Sequence, residues 1–175
     1  MRKARFFRNR GIGKKREQFH DRLVERIYRN PDMLTIDGQK INPFTVKSRK
    51  KEMFFGNDAI GYQVDVAFLR KKGYRVAEVD IIEVVTSPTG KSMETDRIDL
   101  LTKLVPYCLR YSKDFINQLR EEMGFKPEYY DRLWIDIFSA FPYVPDIKFE
   151  RLLSYTKKSI ELGNAANKEK GGYPT

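Results

Sequence analysis

The chain has 175 residues and a mass of 20.7 kDa, is 41% hydrophobic and 33% charged, and carries a formal net charge of +10, a composition that suits one soluble domain with its own core. No apolar run reaches the roughly 18 residues of a membrane helix, and the basic N-terminus lacks the apolar stretch of a secretory signal, so a cytoplasmic or other intracellular location is expected. A single cysteine, Cys108, and a single histidine, His20, exclude an internal disulfide and any Cys/His zinc cluster.

Residues 1–55 hold 16 Lys/Arg against 6 Asp/Glu, whereas residues 56–175 hold 18 of each, so the whole excess lies in the first third. Residues 1–13 read as a flexible basic arm. Together with the start of the following helix they supply Arg2, Lys3, Arg5, Arg8, Arg10, Lys14, Lys15 and Arg16 with no intervening acid. A polyanion fits such a segment, and nucleic acid, DNA first, is the expected partner, with salt-dependent affinity; a solubilising tail has the same composition. The arm lacks the sustained apolar face of a membrane-surface helix.

From Lys14 to Arg29, Phe19, Leu23 and Ile27 recur at i, i+4 and i+8 and predict a helix, which Pro31 stops. His20 sits on its flank with Asp21 as its one evident companion and reads as a surface or half-buried histidine. The stretch "MLTIDGQKINPF" predicts a short hairpin turning at Asp37-Gly38. "TVKSRKKEMFF" has no assigned conformation, and its Lys47, Arg49, Lys50 and Lys51 join the arm as candidate nucleic-acid contacts. Tyr62 to Leu69 and Tyr74 to Val85 predict two strands around a turn centred on Lys72-Gly73. "TGKS" at 89–92 lacks the upstream glycine of a triphosphate-binding loop.

A helix follows over 97–111, with Cys108 in its apolar stripe and Pro106 kinking it. A second covers 112–123 and ends at Gly124. The aromatic-rich 128–141 and the segment 147–162 read as further helices, with Trp134 as packing, and 163–175 as a flexible tail. The sum is one α/β domain over 14–162: a mixed central sheet flanked by helices, with a mainly helical C-terminal region.

The hairpin carries acids at Asp65, Glu78, Asp80 and Glu83 inside apolar runs. Glu78 and Asp80 share a face by strand alternation. With the turn at Lys71 to Gly73, Asp65 is expected to face the segment between Glu78 and Asp80. Like charges opposed across strands repel, so the face is either fully wet or compensated by a cation, of which Mg²⁺ or Mn²⁺ is the type that oxygen ligands select. Glu83 has the other parity unless a bulge intervenes.

Asp65 near the start of one strand and Glu78 on the next, 13 positions later, resemble the core of the PD-(D/E)XK nuclease superfamily, in particular restriction endonuclease-like proteins and archaeal Holliday junction resolvases. "GKKREQFHDRLVERI" is similar to the opening helix of those resolvases, and Glu17 matches its glutamate. The likeness spans about residues 13 to 120. Val64 stands where the family has proline, and Asp80 where it usually has lysine, a role open to Lys72 or Lys91 from a loop. The resemblance implies metal-dependent hydrolysis of DNA phosphodiesters, with Asp65, Glu78 and Glu17 at the site, Asp80 as an added ligand, Mg²⁺ or Mn²⁺ as cofactor, and action as a homodimer. A degenerate, non-catalytic nucleic-acid-binding relative and a basic partner-binding protein remain the alternatives.

Overall fold

The computed structural model of the chain describes residues 12–36, 39–57, 60–84, 103–140 and 155–163. Helix α1 is Ile12–Arg29, and it delivers Val24 and Ile27 into an apolar layer, as its stripe requires. A small hairpin of β1 (Thr35–Ile36) and β2 (Gln39–Lys40) follows, then the long strands β3 (Val46–Gly56), β4 (Gly61–Gly73) and β5 (Val76–Val84). Helices α2 (Val105–Arg110) and α3 (Ser112–Met123) precede β6 (Arg132–Ala140) and β7 (Tyr155–Glu161). Gly124, at φ 68°, ends α3 in the left-handed conformation that glycine adopts without a Cβ penalty.

The main sheet runs β3-β4-β5-β6-β7, parallel between β5 and β6 and antiparallel elsewhere. A mixed sheet between helical layers is the architecture expected from the sequence. One face, with Ala67, Val79, Ile81, Leu133 and Ile135, packs on Leu104, Tyr107, Phe115 and Leu119 of the α2–α3 layer. The other face, with Val66, Phe68, Ile82 and Phe138, packs on α1 and on Leu34 and Ile41 flanking the small hairpin.

Two segments read as helices are strands. Residues 132–140 are buried on both faces of the sheet, so they show a continuous apolar run instead of alternation, which periodicity does not separate from a buried helix. Most of the segment 147–162 lies outside the described residues, and its end, Tyr155–Glu161, pairs as edge strand β7. The unassigned basic segment is β3, the other edge.

Both β3 and β4 switch faces at one rung. Ala67 and Leu69 face α2–α3, as do Tyr62 and Val64, and between them Asp65 lies opposite Glu52, whose φ of 51° departs from strand geometry. A non-glycine residue in that conformation costs about 1–2 kcal/mol, and the outcome is that Asp65 and Val66 both turn toward α1. At the far end of this pair Gly56 lies against Gly61, where a Cβ on Gly56 would come within 2.5 Å of the Gly61 backbone.

The turn of the central hairpin differs from expectation. Gly73 pairs with Val76, leaving Tyr74-Arg75 as the two-residue loop, with Arg75 at φ 55°. A glycine signals a turn, yet here it flanks the loop beside a register shift, while Arg75 takes the left-handed position. The pairing therefore slides: Arg70 faces Glu78 and Val66 faces Ile82.

Candidate metal centre

Along β5, Glu78, Asp80, Ile82 and Val84 face the α1 side, while Ala77, Val79 and Ile81 face α2–α3. Across the sheet, Phe68, Asp80, Asp136 and Lys157 form one row and Arg70, Glu78, Trp134 and Ser159 the next. Pairing of Asp80 with Asp136 across parallel strands, with Glu78 two residues along, brings three carboxylates together. One oxygen from each of Glu78, Asp80 and Asp136 lies within 4.8 Å of the others. Glu78 is 1% exposed and both aspartates 0%.

Charge is partly balanced within the cluster. Arg70, itself buried, donates from Nη2 to Glu78 Oε1 at 3.0 Å and sets Nε 2.5 Å from Asp80 Oδ2. Lys157 Nζ stands 3.7 Å from Glu78 Oε2. Three carboxylates against two cations leave one negative charge if all are ionised. Burial pushes the Asp80 carboxyl well above the ordinary aspartate range against the pull of Arg70, and the neighbouring Glu78 and Asp136 charges reinforce it. Burial acts on Glu78 in the same direction, but its hydrogen bond with Asp80 and the charges of Lys72, Arg70 and Lys157 outweigh it and hold Glu78 below the usual glutamate value. Of the three carboxyls, Asp80 is the one that its surroundings hold toward the protonated form. Its Oδ1 atom is buried and accepts no hydrogen bond, an oxygen that a hard cation would satisfy.

Above Glu78 the cluster opens into a cavity of about 70 Å³ whose walls include Lys40, Arg70, Lys72 and Lys157. Several waters fit such a volume. An acidic floor under a cationic mouth can hold a divalent cation below and an anion above.

Of the predicted site residues, Glu78 and Asp80 come together as expected, and Asp65 does not join them. It lies one residue beyond the Val66–Ile82 rung, five residues along β4 from the partner of Glu78, about 17 Å at strand rise. The expected opposition failed because it placed the turn about two residues too early. Asp65 Oδ2 instead accepts the Val84 N–H at 2.7 Å and lies 3.2 Å from His20 Nε2. His20 is buried, with Asp21 at 3.2 Å from its Nδ1, so its chief companion lies 45 residues away in sequence. The register carries Glu83, also buried, across from Asp65, but alternation along β5 turns its side chain to the α2–α3 side, away from Asp65 and His20.

Glu17, Lys14, Lys15 and Arg16 lie on α1 with side chains outside the described residues, as do Arg2, Lys3, Arg5, Arg8 and Arg10 altogether. Lys91 is outside them too. The run on β3 is engaged within the fold. Arg49 donates to the Tyr28 carbonyl at the end of α1 at 2.9 Å, Lys51 pairs with Glu25, and Lys50 with Glu122 of α3. These cations tie both helices to the edge strand, and Glu25 is lowered by its hydrogen bonds to Lys51 and Arg29. Lys47 is exposed. Cys108 is buried in the α2–α3 core, where desolvation raises its thiol.

Asp136, Arg70 and Lys157 were not singled out from the sequence. Asp136 had a usable signal, an acid inside the apolar run "LWIDIF", which matches Asp80 in "EVDII". No helix among the described residues is long and apolar enough to cross a membrane. No protein-family model, curated protein or solved structure matches the chain.

Proposed function

We propose that the chain is a metal-dependent nuclease acting on DNA, with Glu78, Asp80 and Asp136 as the metal ligands. One observation carries the reading: three buried carboxylates cluster on adjoining strands, and one of them, Glu78, lines a cavity whose walls include Lys40, Arg70, Lys72 and Lys157. All-oxygen donors of this charge suit Mg²⁺ or Mn²⁺. When bound, such an ion supplies Lewis acidity to a phosphodiester and makes water a better nucleophile. The chain's own residues do the rest. Arg70 fixes the Glu78 carboxylate, Asp80 and Asp136 would complete the ligand set beside it, and Lys72, Lys40 and Lys157 receive a phosphate at the mouth. The basic arm and Lys47 add a sequence-independent attraction for the backbone. This architecture fits a divergent PD-(D/E)XK-like nuclease whose acids have shifted along the hairpin.

A second placement of the metal is favoured by buried Asp65, whose Oδ2 lies 3.2 Å from Nε2 of buried His20 on the α1 side of the sheet. Calorimetric titration of Mn²⁺, paired with cleavage of linear, single-stranded and branched DNA, separates the two. Loss of both signals in Asp136→Asn and Glu78→Gln, with both retained in Asp65→Asn, is expected. The reverse pattern moves the metal to Asp65 and His20. Wild type that binds DNA but takes up no ion and cuts nothing refutes the nuclease and leaves a non-catalytic binding module, with Arg70 as the permanent counter-ion of the cluster.

A further inference from the structure

The β4–β5 hairpin ends in Lys71-Lys72-Gly73-Tyr74-Arg75, and Lys72 of this tip lines the cavity above Glu78. Tyr74 is 89% exposed. No other exposed large hydrophobic residue belongs to the hairpin, so the ring stands among cations rather than in an apolar patch of the kind a protein partner covers. A Cβ on Gly73 would meet no atom beyond its chain neighbours within 4 Å, so no other element packs against the hairpin there.

The tip is also held in shape. Arg75 keeps its left-handed φ of 55°, a costly conformation for a residue with a side chain. Asp131 secures it twice, by an ion pair of 3.0 Å to Arg75 Nη2 and a backbone hydrogen bond of 2.8 Å from Asp131 N–H to the Arg75 carbonyl. A ring presented on a fixed loop loses little freedom on binding. An aromatic face flanked by Lys and Arg is the chemistry that stacks a nucleobase and neutralises its phosphate.

We propose that the hairpin tip is a base-stacking platform. Tyr74 takes the ring of an unpaired nucleotide, and Lys72, with Lys40 and Lys157, takes the adjoining phosphate at the cavity mouth. The preferred ligand is therefore single-stranded or locally opened DNA, because a base inside an intact duplex has no free face to offer. This rests on the nuclease reading for the position of the phosphate to be cut, while the stacking itself needs no metal.

Binding is measured in EDTA with a single-stranded oligonucleotide carrying 2-aminopurine and with a blunt duplex, using wild type, Tyr74→Ala and Tyr74→Trp; cleavage by the same proteins is then followed in Mn²⁺. Tyr74→Ala is expected to weaken single-strand binding about ten-fold and to abolish 2-aminopurine quenching, with Tyr74→Trp restoring both. Duplex affinity and melting temperature stay at wild-type values. Equal loss on both ligands, or no loss on either, overturns the platform. If wild type binds and cuts DNA while Tyr74→Ala is indistinguishable from it, the platform alone fails. If wild type neither binds nor cuts any DNA, the nuclease reading fails and the platform with it.

Discussion

Replacing Arg70 by methionine tests the electrostatics of the acidic cluster directly. Methionine fills much of the arginine's volume and removes its charge. Arg70 is 5% exposed and contacts two carboxylates, Glu78 at 3.0 Å and Asp80 at 2.5 Å. Lys157 remains, but it stands 3.7 Å from Glu78 with a third of its side chain exposed, and it compensates weakly. Removing one partner of a buried ion pair costs about 3–5 kcal/mol, which for a chain of this size is a fall of roughly 10 °C in melting temperature. Thermal unfolding followed by circular dichroism at neutral pH in EDTA reads this change. Adding Glu78→Gln to Arg70→Met removes the carboxylate that Arg70 holds ionised and should recover at least half of the loss, a coupling that independent sites do not show. Saturating Mn²⁺ should raise Arg70→Met more than wild type, since two positive charges then replace the guanidinium; a ligand at a hundred times its dissociation constant contributes about 2.7 kcal/mol. Arg70→Met melting within about 2 °C of wild type in EDTA would refute the charge balance, and indifference of that variant to Mn²⁺ would refute the cation site.

Two further outcomes follow from the same geometry. Asp80 is shifted upward, so its contribution to stability is present at low pH and lost as pH rises through its raised value; Asp80→Asn should abolish that decline with rising pH in urea titrations, and an unchanged decline would place its origin elsewhere. Because Asp80 must lose its proton to ligate, Mn²⁺ affinity in wild type should rise by up to about ten-fold per pH unit below that value, with proton release seen in calorimetry in buffers of differing ionisation heat, and a pH-independent affinity would count against Asp80 as a ligand. At the other end of the hairpin, Asp65→Ala strands the buried Val84 N–H that Asp65 accepts at 2.7 Å. The expected cost is about 1–3 kcal/mol with faster amide exchange at Val84, and unchanged exchange there would refute the capping role.

Local signals in this sequence were legible where one element sufficed to create them. The stripe of α1 and the stop at Gly124 depend on the helix itself, and both are seen in the structure. The central hairpin was legible as an element but not in register, because its left-handed loop position went to Arg75 instead of the adjacent glycine. Strand β3 was illegible for a different reason. Its alternation breaks at Glu52, and three of its cations are answered by α1 and α3, contacts that appear only once the helices are in place. Strand β6 lacks a polar face because both of its sides are covered, and without that face a period of two disappears.

The acidic cluster joins the legible and the illegible parts. Val79-Asp80-Ile81 lies rung for rung beside Ile135-Asp136-Ile137, two near-identical tripeptides brought into register by parallel pairing. Sliding β6 by one residue would turn Asp136 into the apolar α2–α3 layer and expose Ile135 or Ile137 to Arg70 and Glu78. Sliding it by two would leave the aspartate on the correct face but beside Glu78 or Ile82 rather than Asp80. Only the observed pairing shares Asp80, Asp136 and Lys157 along one row. A buried charged row of this kind adds little net stability compared with an apolar one, so its consequence is selective: it fixes which residues of β5, β6 and β7 meet, and thereby gathers three carboxylates beneath the cationic cavity that Glu78 lines. Asp80 inside an apolar strand was therefore readable as half of a pair, and its other half became identifiable once β6 was recognised as a strand.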